Sequence, residues 1–325
     1  MRAAHTTVNV RWLGSNAVQV GPARWTLYGP TYRGVRLEIE TMTEALQISP
    51  LTGALGAEVS GVQLGDLSHT QFDAIEQAWQ QHLVLFFRDQ QLTPEQHIAF
   101  AGHFGPAQKP GFVPTLEEYP QIRRQEYDES SQIGSDVTWH TDDTFLDVPS
   151  KGSVLYALDV PAAGGDTVWI NARRAYEALS PPLKIFLDGL TAVHDLVATM
   201  GPGVLKQHGV ERFKRFMDST PAVEHPVVRA HPDTGHRSLF VNPLMTSHIK
   251  DLHRPESDAL LKFIYQHIQQ PEFQCRFKWR PNSVAFWDNR STLHKGINDF
   301  WPAHRLMHRV AIADSQPPQS VAATG

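Results

Sequence analysis

Residues 137 to 149 read VTWHTDDTFLDVP, and the chain downstream of this stretch decides the fold. Beyond Pro149 short segments rich in β-branched and aromatic residues recur: SVLYALDV, DTVWINA, TAVHDLVA, EHPVVRAH, SLFVN, FQCRFKWR, SVAFWD and HRLMHRVAIA. Turn formers separate them, among them Ala163-Gly164-Gly165, Pro232-Asp233-Thr234-Gly235 and Pro281-Asn282. Short strands alternating with such turns, with helices expected near 172–190 and 255–269, predict a mainly β fold with added helices, a double-sheet jelly roll. Residues 197–224 interrupt the strands with glycines and a basic helix, the pattern of a lid.

Upstream, ISPLTGALGAEVSGVQLG from Ile48 reads as a strand pair joined by tight turns. Ser68 precedes HTQFDAIEQAWQQH, whose Phe72, Ile75 and Trp79 recur at helical spacing, and LVLFFR has the continuous apolar character of a buried strand. Thr93-Pro94-Glu95 supplies an N-cap, a proline at the first helical position and an acid at the positive helix end, starting a helix that runs to about His103. No internal repeat or linker divides the chain, so 42–325 reads as one domain.

The 325 residues are 41% hydrophobic and carry a formal charge of −5, which suits a globular protein and excludes the basic stripe of a nucleic-acid binder. No apolar run approaches the ~20 residues of a membrane span, and no secretory signal is recognisable. Partners are therefore expected among small molecules. The single cysteine, Cys275, excludes an internal disulfide and reads as a buried structural thiol in a reducing cytoplasm. Residues 1–41 differ in composition, with five arginines and no acid before Glu38. They read as an unstructured extension, with Met42 beginning the functional chain.

In an extended segment residues two apart share a face, so His140 and Asp142 project together while Thr141 and Asp143 face away. One more histidine would complete the two-His-one-carboxylate facial triad of a non-haem iron(II) site. An HxD triplet alone more often marks a structural histidine beside a surface aspartate. The second half of the signal is AFWDNRSTLHKGINDFWPAHRLMHRVAI, residues 285–312. Here His294 follows a strand and loop, and Arg305 and Arg309, four apart, share one face of a further strand. The planar fork of one arginine suits a cosubstrate carboxylate, and the other can meet an anionic substrate.

Together these residues resemble the taurine dioxygenase/TfdA family of iron(II)- and 2-oxoglutarate-dependent dioxygenases. The resemblance runs from about Ile48 to Asp314 through GAEVSGVQL, FFRDQ, FGP, WHTDDTF, GGDTVW, HPVVRAHPDTG, LFVN, WDNRSTLH and HRLMHR, in family order. It implies a cupin-like double-stranded β-helix with His140, Asp142 and His294 as iron ligands. Thr167 and Arg305 match the positions that hold the distal carboxylate of 2-oxoglutarate, and Arg309 matches the arginine that contacts the substrate's acidic group. It further implies oxidative decarboxylation of 2-oxoglutarate by O2 to succinate and CO2, coupled to hydroxylation of a substrate carbon. Where that carbon bears a sulfonate, sulfate or aryloxy group, the product collapses and the bond cleaves. Family members are often dimers or tetramers.

The taurine enzymes carry a histidine and, three positions on, a tyrosine after the FG turn; here FGPAQKPGFVP places Pro110 and Val113 there, which argues against taurine itself. RRQEYDESSQIGSDVTWHTDDTFLDVP looks more like the members that cleave chlorinated phenoxypropionates, whereas HRLMHRV is shared with alkylsulfatase-type members. Lys109 reads as a surface lysine, and His194, His225 and His231 as structural histidines. Phe112, Met200 and Phe240 read as core or as an apolar substrate wall. Trp287 and Asn289 are expected to position the loop carrying His294, and Lys206, Arg212, Lys214 and Arg215 to form a solvated helix face. A zinc hydrolase using the same three ligands leaves Thr167, Arg305 and Arg309 without a role, and a catalytically silent jelly-roll binder would ordinarily have lost a ligand. Deletion of residues 1–41 is expected to leave folding and turnover intact, as checked by circular dichroism and succinate formation; loss of either would show the segment to be part of the functional chain.

Overall fold

The computed structural model of the chain describes residues 10–12, 17–20, 23–26, 46–111, 113–130 and 137–321, in two units, Met1–Leu46 and Gln47–Gly325. In the first, β1 (Val10–Trp12), β2 (Ala17–Val20) and β3 (Ala23–Thr26) form an antiparallel sheet in that order. Most of residues 1–41, where an extension was expected, lies outside the described residues.

The second unit opens with β4 (Gln47–Pro50) and β5 (Ala57–Ser60), paired antiparallel. Helix α1 (His69–His82) begins at Ser68, whose side chain accepts from the Gln71 amide while the Gln71 side chain accepts from the Ser68 amide. β6 (Val84–Phe87) is buried throughout, parallel to β5. α2 (Pro94–Gly102) repeats the capping box with Thr93 and Gln96. There follow β7 (Ile122–Tyr127), β8 (Gly152–Asp159), β9 (Thr167–Asn171), α3 (Ala172–Glu177), α4 (Pro181–Asp188), β10 (Thr191–His194), α5 (Leu196–Ser219), β11 (Val223–Pro226), β12 (Val228–Ala230), β13 (Arg237–Leu239), β14 (Thr246–Ile249), α6 (Arg254–Ile268), β15 (Gln274–Phe277), β16 (Val284–Asp288), β17 (Thr292–Gly296), β18 (Arg305–Ile312) and β19 (Gln319–Ser320).

A seven-stranded sheet, β4-β5-β6-β16-β8-β18-β7, faces a three-stranded one, β15-β9-β17. Between them lies a core of Phe86, Leu155, Ala285, Trp287 and Met307 from the large sheet and Trp169, Cys275 and Phe277 from the small one. Phe86 stacks on Phe277 at 4.1 Å across the gap. On the far face of the large sheet Trp79 of α1 stacks on Phe286 at 4.4 Å. The small sheet's outer residues, Val168, Ile170 and Leu293, pack with Ala175 of α3 and Leu261 and Ile264 of α6. β8 and β16 approach closely because Gly152 has no side chain: a Cβ there would lie 2.6 Å from the Trp287 carbonyl oxygen. This is the jelly roll that the strand pattern and the resemblance implied.

Three expectations need correction. The helix expected over 172–190 is two, since Pro181 and Pro182 can only open a helix and α3 ends before them. TAVHDLVA is strand only to His194; Asp195 accepts from the Ala198 amide and caps α5. EHPVVRAH is two strands, broken at Val227. Four strands of this unit went unread: β7 (IRRQEY), β14 (TSHI), β17 (TLHKG) and β19 (QS), so His294 lies on a strand rather than after one. No helix among the described residues is long and apolar enough to cross a membrane.

Two histidines are enclosed by this packing. His97 bonds the Val154 carbonyl at 3.1 Å, and burial with the nearby His308 charge brings it down to about 4. His194 bonds Thr144 Oγ1 at 2.9 Å, and burial with the His225 charge brings it down to about 3. Both are neutral when folded but take a proton in the unfolded chain near pH 6.5. Stability present above 6.5 is therefore expected to fall as pH drops towards 3–4, by about 1.4 kcal/mol per pH unit for each histidine. Urea unfolding at pH 7.5, 6 and 5 checks this, with His97→Gln or His194→Gln flattening the slope.

Candidate active site

His140 and His294 face each other across an antiparallel bridge that extends the small sheet: the His140 amide donates to the His294 carbonyl at 3.0 Å, and the reverse bond is 2.7 Å. Their rings lie 4.3 Å apart, and both Nε2 atoms are 3.8 Å from Asp142 Oδ1. Ligand atoms of all three side chains fall within 4.8 Å of one another, and all three are buried. This donor set fits a divalent metal of the non-haem iron type. His140 Nδ1–H donates to the Thr138 carbonyl at 2.7 Å, which leaves Nε2 as a lone pair facing the site. Burial, then the charge on His140, pushes His294 down to about 3, keeping it neutral as a ligand must be.

Asp142 is not in a strand, as the extended reading of WHTDD had it, but opens a turn in which Asp143 has φ +60°. Its Oδ2 accepts from Ser153 Oγ at 3.0 Å and Asn289 Nδ2 at 3.4 Å, and its Oδ1 faces the histidines and bonds Arg309 Nη1. Although burial opposes it, Arg309, His294 and His140 hold this carboxyl well below the usual range. The turn is held from beneath by His225, whose Nε2 bonds the Thr144 and Leu146 carbonyls at 3.0 Å each. Asp143 does not point elsewhere: it lines the same cavity, and burial together with Asp142 raises its pKa.

That cavity has a volume of about 830 Å³. It brings together all six residues singled out in the sequence: His140, Asp142, Thr167, His294, Arg305 and Arg309. Thr167 follows the Gly164-Gly165 turn, both glycines having positive φ, and a Cβ on Gly164 would meet Asp299 at 2.7 Å. On the β17 side Thr167 pairs with Gly296, which has no side chain, and on the β15 side with Phe277. Arg305 and Arg309 do share a face: the bulge between Leu306 and Met307 puts its extra residue on β8, leaving β18 regular.

Of the remaining expectations, Pro110, Val113, Met200 and Trp287 line the cavity, whereas Phe240 packs under Arg229 and beside His194. Phe112 lies outside the described residues. Lys109 is exposed but lines the cavity. Helix α5 kinks at Gly209 and turns Leu196, Met200, Val204 and His208 inward at four-residue spacing, followed by Arg212 and Arg215; Lys206 and Lys214 form its solvated face. The basic helix is therefore only half a solvent face. Asn289 does more than shape a loop, since it touches Asp142 itself while accepting from Trp287 Nε1 at 2.8 Å.

Sequence reasoning missed Arg123 and Gln125, which line the cavity from β7, and Trp279. Trp279 Nε1 donates to Thr167 Oγ1 at 2.9 Å. An indole N–H is a fixed donor, so it takes a lone pair of the hydroxyl and leaves the O–H free to point into the cavity.

The arrangement is that of a jelly-roll enzyme with a facial-triad metal centre. The model of the family described as taurine catabolism dioxygenase TauD, TfdA family, matches residues 47–311, and the chain belongs to this family. Its relatives include an alkylsulfatase of Acinetobacter baylyi, 37% identical over 85% of this chain and 87% of that protein. An alpha-ketoglutarate-dependent sulfate ester dioxygenase of Pseudomonas putida is 34% identical over 84% and 91%. Among solved structures, a taurine dioxygenase from Burkholderia xenovorans has a TM-score of 0.72 at 35% identity, covering 84% of this chain and 92% of that one. The structure of AAD-2 in complex with Mn(II) and N-oxalylglycine has a TM-score of 0.71 at 28% identity, covering 85% and 100%. The protein is thus an iron(II)- and 2-oxoglutarate-dependent dioxygenase, with O2 as the second cosubstrate.

On the resemblance's assignment of Thr167 to the distal carboxylate of 2-oxoglutarate, Thr167→Val should weaken 2-oxoglutarate binding roughly tenfold to a hundredfold, the value of a hydrogen bond to a charged group. Trp279→Phe should weaken it roughly three- to tenfold. The double variant should match Thr167→Val alone, because the indole acts only through the hydroxyl. Anaerobic titration of the metal-loaded variants measures all three; additive effects would separate the two residues.

Proposed function

We propose that the enzyme hydroxylates a small organic anion, an alkyl sulfate, sulfonate or aryloxyalkanoate, at the carbon next to the acidic or aryloxy group, and so cleaves a C–O or C–S bond. The observation that carries this reading is the convergence of the triad and Arg309 on one cavity whose other walls include Val113, Leu146, Leu155, Met200 and Leu244. An apolar wall suits a hydrocarbon body, and an arginine beside the metal suits its charged head.

In this reading His140, Asp142 and His294 hold iron(II). Thr167 and Arg305 take the distal carboxylate of 2-oxoglutarate through a hydroxyl donor and a guanidinium fork. Bound iron, 2-oxoglutarate and O2 supply an oxidative decarboxylation to succinate and CO2 whose oxidising equivalent places a hydroxyl on the substrate carbon. Ser153 and Asn289 fix the Asp142 carboxylate, and α5 walls the cavity from water. A hydroxyl placed on the carbon bearing the sulfate, sulfonate or aryloxy group collapses to a carbonyl as that group leaves with its bonding electrons. The names of relatives support these substrate classes, since they include an alkylsulfatase and an (S)-phenoxypropionate/alpha-ketoglutarate-dioxygenase.

We place the enzyme in the cytoplasm as a homo-oligomer, a dimer or tetramer. Cys275 supports a reducing compartment: it is buried, and burial pushes its thiol up to about 12, so it is chemically inert. Anaerobic addition of iron(II) and 2-oxoglutarate to the apo-protein is expected to give a visible charge-transfer band, reshaped by one member of a panel of alkyl sulfates, sulfonates, aryloxyalkanoates and phosphonates. No band despite bound metal would sink the proposal and favour a zinc hydrolase.

A further inference from the structure

We infer that Asp299 is a positioning residue: it latches the loop between β17 and β18 onto the Gly164-Gly165 turn, and that latch sets Thr167 and Arg305 at the spacing needed to grip one carboxylate together. The inference rests on the reading that gives those two residues the distal carboxylate of 2-oxoglutarate, and adds the element that holds them in place.

The two residues share no ladder. Thr167 opens β9 in the small sheet and Arg305 opens β18 in the large one; β9 pairs with β15 and β17, and β18 with β7 and β8. Ladder register fixes the distance between residues on paired strands, so it fixes nothing between these two. Two donors meet on one carboxylate only if both stay within hydrogen-bond distance of it. Their spacing therefore depends on the segments that lead into them, residues 163–166 and 297–304, and these segments are bonded to each other.

Asp299 Oδ1 accepts from the Gly165 amide at 2.8 Å. Beside this bond the Ile297 amide donates to the Asp166 carbonyl at 2.8 Å. Arg276 of β15 donates to the Asp166 carboxylate at 2.6 Å and lies 3.8 Å from Asp299 Oδ2. The close approach accounts for both glycines. A Cβ on Gly164 would lie 2.7 Å from Asp299 Oδ1 and 2.9 Å from the Asp299 carbonyl oxygen, and one on Gly165 would lie 3.2 Å from the Phe300 ring and 3.5 Å from Arg305 Cδ. With φ of +81° and +71° the turn also has the left-handed backbone that glycine adopts readily.

Phe300 carries the latch on to the arginine. Its neighbour Asp299 holds it beside Gly165, and its ring meets Tyr127 edge-on at 6.2 Å and lies 5.8 Å from the Arg305 guanidinium. A second cavity of about 20 Å³, room for about one water, adjoins the large one at Gly296 and Arg305 and is lined by Gly165, Ile297 and Phe300. The latched loop is thus the end wall of the site.

Anaerobic titration of the iron(II)-loaded protein with 2-oxoglutarate and with 2-oxobutyrate, which lacks a distal carboxylate, tests the latch through the charge-transfer band. Asp299→Ala should weaken 2-oxoglutarate roughly three- to tenfold, the value of one hydrogen bond, and leave 2-oxobutyrate within about twofold of wild type. Asp299→Asn keeps an acceptor oxygen for the Gly165 amide and should bind both acids as wild type does. Gly164→Ala, which forces the turn away from Asp299, should reproduce the pattern of Asp299→Ala. Iron(II) affinity without either acid, read by calorimetry, should be the same in wild type and all three variants.

Unchanged 2-oxoglutarate affinity in Asp299→Ala overturns the inference, as does an equal loss of 2-oxobutyrate affinity, which would show a general disturbance of the site. A loss in Asp299→Asn as large as in Asp299→Ala overturns it too, since the acceptor oxygen would then be irrelevant. Thr167→Val separates the two levels. Where it weakens 2-oxoglutarate and Asp299→Ala does not, the latch alone fails; where neither does, the assignment of the distal carboxylate to Thr167 fails and the latch with it.

Discussion

The pair of backbone hydrogen bonds between His140 and His294 is the constraint on which the site depends. Two ligands far apart in sequence are brought into direct register by a single antiparallel bridge, so their separation is set by strand geometry rather than by loop conformation. Asp142 comes two residues later in a turn whose carbonyls are gripped by His225. Its carboxylate is then oriented by Ser153 from the large sheet and Asn289 from the turn before β17. Both sheets therefore hold the third ligand. Metal ligands placed this way need little rearrangement to bind, which is what preorganisation requires.

The turn that delivers β17 is itself secured by buried charge. Arg290 bonds Asp288 through Nε at 2.9 Å and through Nη2 at 2.8 Å, and reaches Asp233 through Nη1 at 2.8 Å. His231 adds a bond to Asp288 at 2.9 Å, and Thr292 Oγ1 donates to the Asp288 carbonyl at 2.7 Å. Burial opposes ionisation of Asp288, yet Arg290 and His231 hold its carboxyl well below the usual range. A buried pair of this kind adds little net stability over an apolar substitute, but it admits few alternative arrangements. Its effect is on geometry: the chain leaves residue 288 in one direction, and His294 arrives opposite His140.

Legibility in the sequence depends on how each residue is held. His140 with Asp142, and both arginines of β18, could be found because their spacing is local, HxD within three residues and two arginines four apart on one strand, whereas His294, 154 positions from His140, was reached only through the family resemblance. Capped helices were legible for the same reason, since Ser68 with Gln71 and Thr93 with Gln96 close their boxes within one turn. Strand β7 was not, because IRRQEY is an edge strand whose inward face carries polar side chains, so the apolar alternation that marks a strand is absent. Arg123 thus entered the site by register with Arg309, a long-range fact that local spacing does not contain. The same holds for Trp279, 112 positions from the hydroxyl it orients. Asp143 was misplaced for a different reason: the extended reading assumed a period of two, and a left-handed residue at φ +60° breaks it.

The site divides its labour by sheet. The small sheet, through His294 and the bridge to His140, supplies the two histidines of the triad, and it presents the Thr167 hydroxyl on the same tightly packed side, against Trp169 and Trp279. The large sheet supplies the cations, with Arg305 and Arg309 on β18 and Arg123 on β7 at its edge. Substitutions on the small sheet would disturb ligand geometry and the core at once, because Phe277 and Trp169 pack into the interior beside these residues. An edge strand carries no such burden. Its inward face can exchange arginine, glutamine or an apolar side chain without unpacking the sandwich, and it is there that a change of anionic substrate costs the fold least.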